Sequence, residues 1–395
     1  MTEDKFNIKT TLDAVKSQVP INQLNIVPPR RMKATNLFAC AGVCEYYMAD
    51  IGVDVILASE LEPTRAKLHH GIYPDCTMII GDIRSSVVQE QLAKIANREK
   101  VEILMASPKC QQITKANNNK NPNSPELFLF EEVLRHLDHC PSYKYVVIEN
   151  AEEYMNFRIN GLEKAVGAHI IDELKKRGFK YCDIGIQNAK HFRTAVNRDR
   201  TIIIGSKEKS VKLPKATSVT PIMLVDVIDD LPTLESGQKG PHWADVTDYV
   251  SSAQAKQIQV TPTGMRVEKP LRLSGEESKA MHKGAFCRAV WYGTMHSLMT
   301  NNGQLSAYHM IHPGRLLVDV NGKPVLNEYG QKQFTDCRTF TPHEIFRALR
   351  LPDDIQVPVW ARYDMSLIRT CLGECWAPLH AQAVVAEFVR AEFNL

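Results

Sequence analysis

The sequence predicts an α/β fold, in which a mostly parallel sheet has helices on both faces and is followed by a smaller, irregular second domain. Short apolar runs alternate with segments of helical spacing between about residues 36 and 205. Several of these runs end in acidic or polar residues, and the alternation fades between residues 205 and 338. The length of 395 residues is sufficient for two or three domains.

The composition is that of an ordinary folded protein, with 44% hydrophobic and 24% charged residues. No apolar run is long enough to span a bilayer, and the first residues lack the apolar stretch of a signal peptide. We therefore expect a cytoplasmic protein whose ten cysteines are reduced thiols. No C-x-x-C pair occurs, so no metal site is predicted. The net charge of +3 permits nucleic-acid binding without demonstrating it.

A thiol follows one of the predicted strands. The apolar run Ile103–Ala106 is typical of a short buried strand, and Pro108 ends it because proline cannot continue a central ladder. Cys110 then lies on a loop at the carboxyl end of a parallel strand, a position that suits nucleophilic chemistry. The alternative is a buried small hydrophobe, the usual role of a free cysteine. The polar, Asn-rich residues 115–124 predict a flap beside this loop.

The first three predicted strands outline a nucleoside pocket. A strand from Asn36 leads through a tight turn of small residues into a helix, the second strand ends at Glu60, and the third ends at Asp82. Acids at such strand ends bind ribose hydroxyls, although either acid could instead cap a helix. Gly42 is the sole glycine of the turn, so the dinucleotide-binding pattern is absent and a nucleoside without a pyrophosphate fits better.

Further charged residues accompany two later strands. A buried strand over residues 143–150 brings Glu149 to its end, in the same cleft as Cys110. Arg198 and Arg200 alternate before another apolar run, so both face one side of an extended segment. A pair of solvated surface arginines is the alternative interpretation.

Taken in order, these residues resemble the motifs of the DNA cytosine-5 methyltransferases, from about Asn36 to the C-terminus. A single motif is a weak signal, whereas the ordered series is specific. The series consists of N-L-F-A-C-A-G (36–42), Glu60, G-D-I (81–83), S-P-K-C-Q (107–111), I-E-N (148–150), V-N-R-D-R (196–200), R-T-F-T-P-H-E-I-F-R-A-L-R-L-P-D-D (338–354) and L-G-E-C-W-A-P-L-H-A-Q-A-V-V (372–385).

The resemblance implies a Rossmann-like, S-adenosylmethionine-dependent methyltransferase fold and methyl transfer to carbon 5 of a flipped-out cytosine in duplex DNA. Cys110 would add covalently to carbon 6, with its thiolate favoured by Lys109 or the nearby arginines. Glu149, protonated when it acts, would support ring nitrogen 3. Arg200 would hold the carbonyl oxygen of the base, and Arg198 would brace the loop or Glu149. The implied cofactor-binding residues are Phe38, Cys40, Ala41, Gly42, Glu60, Leu61, Asp82, Ile83, Ser107, Pro108, Leu127, Glu374 and Cys375.

Three residues depart from the family pattern. Ala151 replaces the usual valine after Glu-Asn, and Val196 stands where the family has glutamine in the arginine motif. Glu374 stands where the family usually has asparagine, beside the methionine part of the cofactor. A carboxylate there could repel the carboxylate of the cofactor or pair with its ammonium group.

The resemblance also divides the chain into an N-terminal extension (1–34), a catalytic and cofactor-binding domain (35–205), a target-recognition region (206–335) and a C-terminal part that completes the catalytic domain (336–395). The extension is typical of one short helix and a basic linker. Basic residues of the target-recognition region suit phosphate contacts, although each could be solvated surface. They are Lys239, Lys256, Arg266, Lys269, Arg272, Lys279, Lys283, Arg288 and Arg315.

The implied partner is double-stranded DNA, bound by a monomer that has no membrane association. A nucleoid-associated protein of prokaryotic or phage origin is expected, and a cognate restriction endonuclease is compatible with the chain but not specified by it. Two alternatives stay open. One is the same chemistry on RNA or with a modified sulfonium donor, and the other is a nonenzymatic DNA-binding relative.

Overall fold

The structure, a computed structural model, describes residues 24–114, 119–121, 123–267, 286–305 and 310–395. These residues form a seven-stranded sheet in the order β3-β2-β1-β4-β5-β7-β6. Strands β1 to β5 pair in parallel, whereas β7 is antiparallel to β5 and β6. The predicted α/β class and mostly parallel sheet are therefore confirmed. The strands are β1 Met32–Leu37, β2 Val53–Glu60, β3 Thr77–Ile80, β4 Ile103–Ala106, β5 Tyr145–Ala151, β6 Tyr181–Asn188 and β7 Asp199–Ser206.

Helices connect and cover the strands. Within the described residues, none of them is long and apolar enough to cross a membrane. The α-helices are α1 Pro63–Ile72, α2 Ser86–Arg98, α3 Leu129–His139, α4 Val166–Lys176, α5 Leu224–Ile228, α6 Ser252–Gln259, α7 Pro342–Leu349, α8 Met365–Glu374 and α9 Pro378–Phe393.

Period-two alternation in the central strands divides the core between the two faces of the sheet. On one face, Leu104 and Val146 belong to an apolar cluster that includes side chains of α2, α3 and α4. On the other face, Met105 and Val147 pack in a cluster with side chains of α9. The C-terminal helix thus completes the layer beneath the sheet.

One strand boundary was predicted accurately and another was not. The predicted strand Ile103–Ala106 is β4, whereas β1 begins at Met32 and not at Asn36. Arg30 and Arg31, expected in a basic linker, form ion pairs with carboxylates at 2.6 and 2.7 Å. The short helix predicted upstream lies outside the described residues.

Two local predictions differ from the structure. The helix predicted after β1 is wrong, because the segment forms two 3-10 turns, Val43–Glu45 and Ala49–Ile51. Gly42 and Gly52 have left-handed backbone at the two ends of this segment, so a long helix cannot continue through either position. The predicted elements do not include β6, an edge strand whose residues are mostly half-buried or exposed.

The order of strands reverses between β1 and β4, which are neighbours in the sheet. Ligands of open α/β sheets bind outside the carboxyl ends of the strands at such a reversal. The turn after β1 and the loop with Cys110 after β4 therefore face the same crevice.

Residues 206–338, here called the loop-rich region, have a different construction. Their described part contains the short helices α5 and α6 and isolated β-bridges. One small apolar cluster includes Val250, Ile258 and Ile311, and a larger one joins Leu224 and Met295 to side chains of α7 and α8. Two fully buried arginines, Arg288 and Arg338, lie at the centre of this region.

Candidate functional site

The loop with Cys110 is tied to the neighbouring strand. Asn150, at the end of β5, donates a hydrogen bond from Nδ2 to the Pro108 carbonyl at 2.9 Å. The Cys110 carbonyl accepts the amides of Ile113 and Thr114 at 2.9 and 3.2 Å, so a turn follows the thiol. These bonds fix the backbone on both sides of Cys110, whose side chain stays half-buried at the crevice.

Glu149 and Arg200 meet because of the register between β5 and β7. Glu149 is paired with Ile202 and Ala151 with Arg200, so the arginine lies one diagonal step away on the same face. Arg200 Nε is 2.7 Å from Glu149 Oε1, and the two side chains are 12% and 6% exposed. In the free protein Arg200 therefore contacts Glu149, whereas the sequence analysis expects it to hold the base.

Arg198 connects the site to two distant segments. Its guanidinium donates to the Leu298 carbonyl at 2.6 Å and to the Gly373 carbonyl at 2.9 Å. Burial lowers the pKa of Arg198 to about 10, with a further contribution from Arg200. Arg198 thus ties these two segments together, and its expected role of bracing the arginine loop or Glu149 stays a prediction. Val196, one of the departures, is buried and forms a bridge with Met295 through the backbone, so backbone bonds brace this loop.

The Cys110 thiol is influenced by this charged group. Burial raises the pKa of Cys110, while the positive charges of Arg200 and Arg198 lower it and Glu149 raises it. Lys109 instead forms an ion pair with Glu126 at 2.7 Å. The nearby arginines therefore favour the thiolate, and the neutral thiol is the resting form.

The turn after β1 has a strained backbone. Phe38 and Cys40 have positive φ values of 60° and 50°, and Gly42 has 70°. Left-handed backbone at bulky residues costs about 1–3 kcal/mol and clusters at functional sites. A Cβ at Gly42 would lie 2.5 Å from the Tyr73 ring, so close packing also requires the glycine.

Glu60 stabilises this turn and keeps capacity for a ligand. Its carboxylate accepts the amides of Cys40, Leu61 and Glu62, each at 2.9 Å. A carboxylate offers about four acceptor positions, so one is left for a ribose hydroxyl. A buried acid held in place by backbone donors fits a nucleoside better than a simple helix cap.

Most of the other implied cofactor residues follow β2, β3 and β4 at the carboxyl edge of the sheet. Leu61 is 54% exposed directly after Glu60, as expected of an apolar side chain that could cover a flat ring. Asp82 is held by the exposed Arg84, which lowers the pKa of Asp82. Ala41, Ile83, Pro108, Leu127 and Cys375 are buried, and Ser107 is half-buried. The structure thus brings the residues predicted for the nucleoside pocket to one edge of the sheet.

Glu374 has a partner that the sequence analysis did not identify. Arg65, in the first turn of α1, donates to both of its carboxylate oxygens at 2.6 and 3.2 Å. The two residues are 309 positions apart, and no local pattern connects them.

The structure corrects one expected phosphate contact in the loop-rich region. Arg288 is fully buried, and its guanidinium donates to backbone carbonyls, including those of Ile258 and His312. Arg315 is partly buried and its guanidinium lies 4.9 Å from the centre of the Trp291 ring. The exposed residues of the predicted set are Lys239, Lys256 and Arg266, and Lys269, Arg272, Lys279 and Lys283 lie outside the described residues.

Comparisons with known proteins identify the family of this chain. Residues 32–390 match the family model of the C-5 cytosine-specific DNA methylases. The Type II methyltransferase M1.HgaI of Avibacterium volantium is 27% identical over 369 residues, which covers 91% of this chain and 98% of that protein.

Two solved structures have the same fold at low identity. A prophage-encoded E. coli protein, described as a DNA modification methyltransferase, has a TM-score of 0.61 and 14% identity, with 91% of this chain and 99% of that chain covered. The Dnmt2 methyltransferase of S. pombe has a TM-score of 0.59 and 13% identity, with 93% and 100% covered. At these identities the likeness establishes the fold alone.

Proposed function

Because the chain belongs to the C-5 cytosine-specific DNA methylase family, we propose that it methylates cytosine in duplex DNA through a covalent adduct between Cys110 and the base. The observation that carries the proposal is the convergence of Cys110, Glu149 and Arg200 beside the strained turn after β1. The activity of this family is the transfer of a methyl group from S-adenosylmethionine to cytosine in DNA.

Carbon 5 of cytosine is a weak nucleophile until a thiolate adds at carbon 6. Cys110 would form this bond, and carbon 5 of the resulting enamine-like ring would attack the methyl group of the donor, whose sulfonium sulfur leaves with the bonding electron pair as a neutral thioether. Elimination then breaks the bond to sulfur after a base has removed the carbon-5 proton. Arg200 and Arg198 support the first step because their charges oppose the effect of burial on the pKa of Cys110.

Glu149 and Arg200 would exchange partners when cytosine enters. Their ion pair satisfies both groups in the free protein. An acid that donates to ring nitrogen 3 must be protonated, and a guanidinium that holds the carbonyl oxygen must turn toward the base. Opening the pair would free Glu149 and Arg200 to contact the base. Until the base replaces each partner, the ion pair keeps the two side chains in position.

S-adenosylmethionine supplies the methyl group when it is bound. The chain would hold it through the free acceptor position of Glu60, the exposed face of Leu61 and the backbone of the turn from Phe38 to Gly42. The acceptor position suits a ribose hydroxyl and the apolar face suits an adenine ring.

The target carbon is inaccessible inside a stacked duplex, so the base must be flipped out at a cost of a few kcal/mol. Exposed Lys239, Lys256 and Arg266 of the loop-rich region are suited to phosphate contacts that position the duplex without reading its sequence. The relative M1.HgaI is named a Type II methyltransferase, which supports a role as the modification enzyme of a restriction system with a cognate endonuclease.

The test uses the purified chain, labelled S-adenosylmethionine and unmethylated duplex DNA, followed by nucleoside mass spectrometry. We expect 5-methylcytosine from the wild type. Cys110→Ala should lower the rate by a thousandfold or more, on the order of the loss of a covalent nucleophile. Cys182→Ala removes a half-buried thiol on β6 and should leave the rate unchanged. Methylation by Cys110→Ala within tenfold of the wild type would refute the covalent mechanism.

A further inference from the structure

Three buried side chains from separate segments bring potential metal ligands together. Glu45 ends the first 3-10 turn after β1, His69 lies on α1, and Cys76 directly precedes β3. The three side chains each offer one donor atom, and these atoms lie within 4.8 Å of one another. The three residues are 4%, 0% and 4% exposed. A carboxylate, an imidazole and a thiol are the kinds of side chain that bind zinc in proteins.

Contacts within the protein satisfy this cluster only in part. Glu45 Oε1 accepts the side-chain amide of Asn36 at 2.6 Å and lies 2.9 Å from His69 Nε2. The second oxygen, Glu45 Oε2, and the second ring nitrogen, His69 Nδ1, are buried and have no hydrogen-bond partner among the described residues. A buried polar atom without a partner is costly, so an ion pair between Glu45 and His69 leaves both groups incompletely stabilised. An open carboxylate oxygen beside an imidazole and a thiol points to a cation.

The donor set favours zinc over the other common cations. Magnesium and calcium prefer oxygen ligands alone, so the thiol of Cys76 disfavours both. Zinc binds sulfur, nitrogen and oxygen ligands together. The carboxylate of Glu45 and the thiolate of Cys76 would balance the two charges of the ion in the buried site, after the thiol proton has been released to solvent.

We propose that Glu45, His69 and Cys76 form a structural zinc site beside the turn after β1. The ion would connect this turn, α1 and the start of β3, which are separate segments of the chain. With both oxygens of Glu45 bound, the protein would supply four donors, the number that zinc usually takes. This site goes beyond the proposed function and does not depend on it.

The position of the cluster gives the ion a role in shaping the turn after β1. A Cβ at Gly42 would lie 2.8 Å from the His69 ring. Tyr73, one helical turn after His69, donates from its hydroxyl to the Gly42 carbonyl at 2.8 Å. His69 therefore packs against a turn whose backbone is left-handed at Phe38, Cys40 and Gly42. A metal bond to His69 would hold the ring in place and support this strained backbone.

The test measures the zinc content of the full chain by inductively coupled plasma mass spectrometry, after expression with added zinc and dialysis against metal-free buffer. We expect about one zinc ion per chain in the wild type. Cys76→Ala and His69→Gln each remove one ligand. Each should raise the dissociation constant for zinc at least about tenfold, measured in competition with a chromophoric chelator.

Cobalt(II) identifies the ligands, because it replaces zinc at tetrahedral sites and gives a charge-transfer band in the near ultraviolet when a thiolate binds it. The metal-free wild type should show this band when cobalt is added, and Cys76→Ala should lack it. Cys182→Ala is the matched control, since it removes a half-buried thiol on β6. This control should keep both the zinc ion and the band.

A second group of potential ligands consists of His242, Asp245 and His343, whose donor atoms also lie within 4.8 Å of one another. Both ring nitrogens of His343 already have carboxylate partners, at 2.7 and 3.0 Å. A zinc ion bound there would remain in Cys76→Ala and would give no thiolate band. That result would overturn the inference.

A wild type that holds no zinc and gives no thiolate band would also overturn it, and would leave Glu45 and His69 as a buried ion pair. If a variant fails to fold, the wild type alone provides the test. Removal of the ion by a chelator should lower the midpoint of thermal unfolding, and one equivalent of zinc should restore it. An unchanged midpoint would contradict a structural ion. None of these measurements uses methylation, so a failure of the proposed function is seen separately.

Discussion

The centre of the sheet is filled by aliphatic side chains, whereas the loop-rich region also buries two guanidinium groups beside its apolar side chains. Leu104 and Val147 are fully buried on opposite faces of the sheet. Arg288 and Arg338 are equally buried, and both bind backbone carbonyls of separate loops. A region with little regular structure has many unpaired carbonyls, and an arginine with five donors can satisfy several of them at once.

The difference matters for the site because Arg198 joins the two constructions. It extends from the edge of β7 to carbonyls of the loop-rich region and of α8. The sheet positions Cys110 and Glu149 through backbone register, which tolerates variation in side chains. The far wall of the crevice depends on a few individual polar contacts, and these contacts do not tolerate variation in the side chains that form them.

Among the substitutions that test this comparison, Arg338→Met is expected to lower the unfolding free energy most. Arg338 is fully buried and binds Asp336 at 2.7 Å and Glu344 at 2.9 Å, so its loss leaves Glu344 without its arginine and Asp336 with only the more distant Arg315 at 3.4 Å. Breaking a buried pair costs about 3–5 kcal/mol. Urea unfolding should show this loss, while Lys323→Met, an exposed change in the same region, should stay within about 0.5 kcal/mol. A loss below about 1 kcal/mol would mean that the buried arginine contributes little to the stability of this region.

Leu104→Ala is expected to have the next largest effect. Leu104 is at the centre of the sheet, and truncating a buried leucine costs about 2–5 kcal/mol through lost burial and a cavity. Leu316→Ala, in the loop-rich region, should cost less because the side chain is 40% exposed. Equal losses of unfolding free energy in urea would contradict the expectation that burial determines the cost of each truncation.

A smaller effect should appear as a fall in the unfolding free energy at acidic pH, which arises in the sheet layer. His136 is buried between Gln89 and Tyr143, and burial lowers its pKa to about 4. The unfolded chain binds this proton near pH 6.5, so the contribution is complete above pH 6.5 and is lost as the pH falls toward 4. The shift corresponds to roughly 3 kcal/mol.

His136→Gln should therefore flatten the dependence of the unfolding free energy on pH between 6.5 and 4. His70→Gln, at an exposed position on α1, should leave the slope unchanged. Unfolding curves at several pH values provide the measurement. An unaltered slope in His136→Gln would show that other groups account for the acid sensitivity, such as the buried His312 of the loop-rich region, whose pKa is also lowered to about 4.

Much of the fold and of the candidate site could be predicted because both depend on local pattern. Ile103–Ala106 is apolar at every position, as a strand buried on both faces requires, and it is β4 in the structure. Glu60 and Glu149 lie at or next to the ends of β2 and β5. Parallel strands bring their carboxyl ends to one edge of the sheet, so the two acids could be predicted to lie at the same edge. The edge strand β6 has no comparable pattern, since solvent satisfies part of its surface.

The sequence by itself determined which residues stand at the carboxyl ends of the strands, and with them the proposed nucleophile and the acids of the proposed pocket. Only the tertiary structure decided how the charged groups pair: Arg200 with Glu149, Arg65 with Glu374, and Arg338 with Asp336 and Glu344. Strand periodicity is a property of neighbouring residues, and the chain reports it directly. An ion pair between residues far apart depends on which surfaces come together after folding, and any of several arginines could satisfy the same carboxylate.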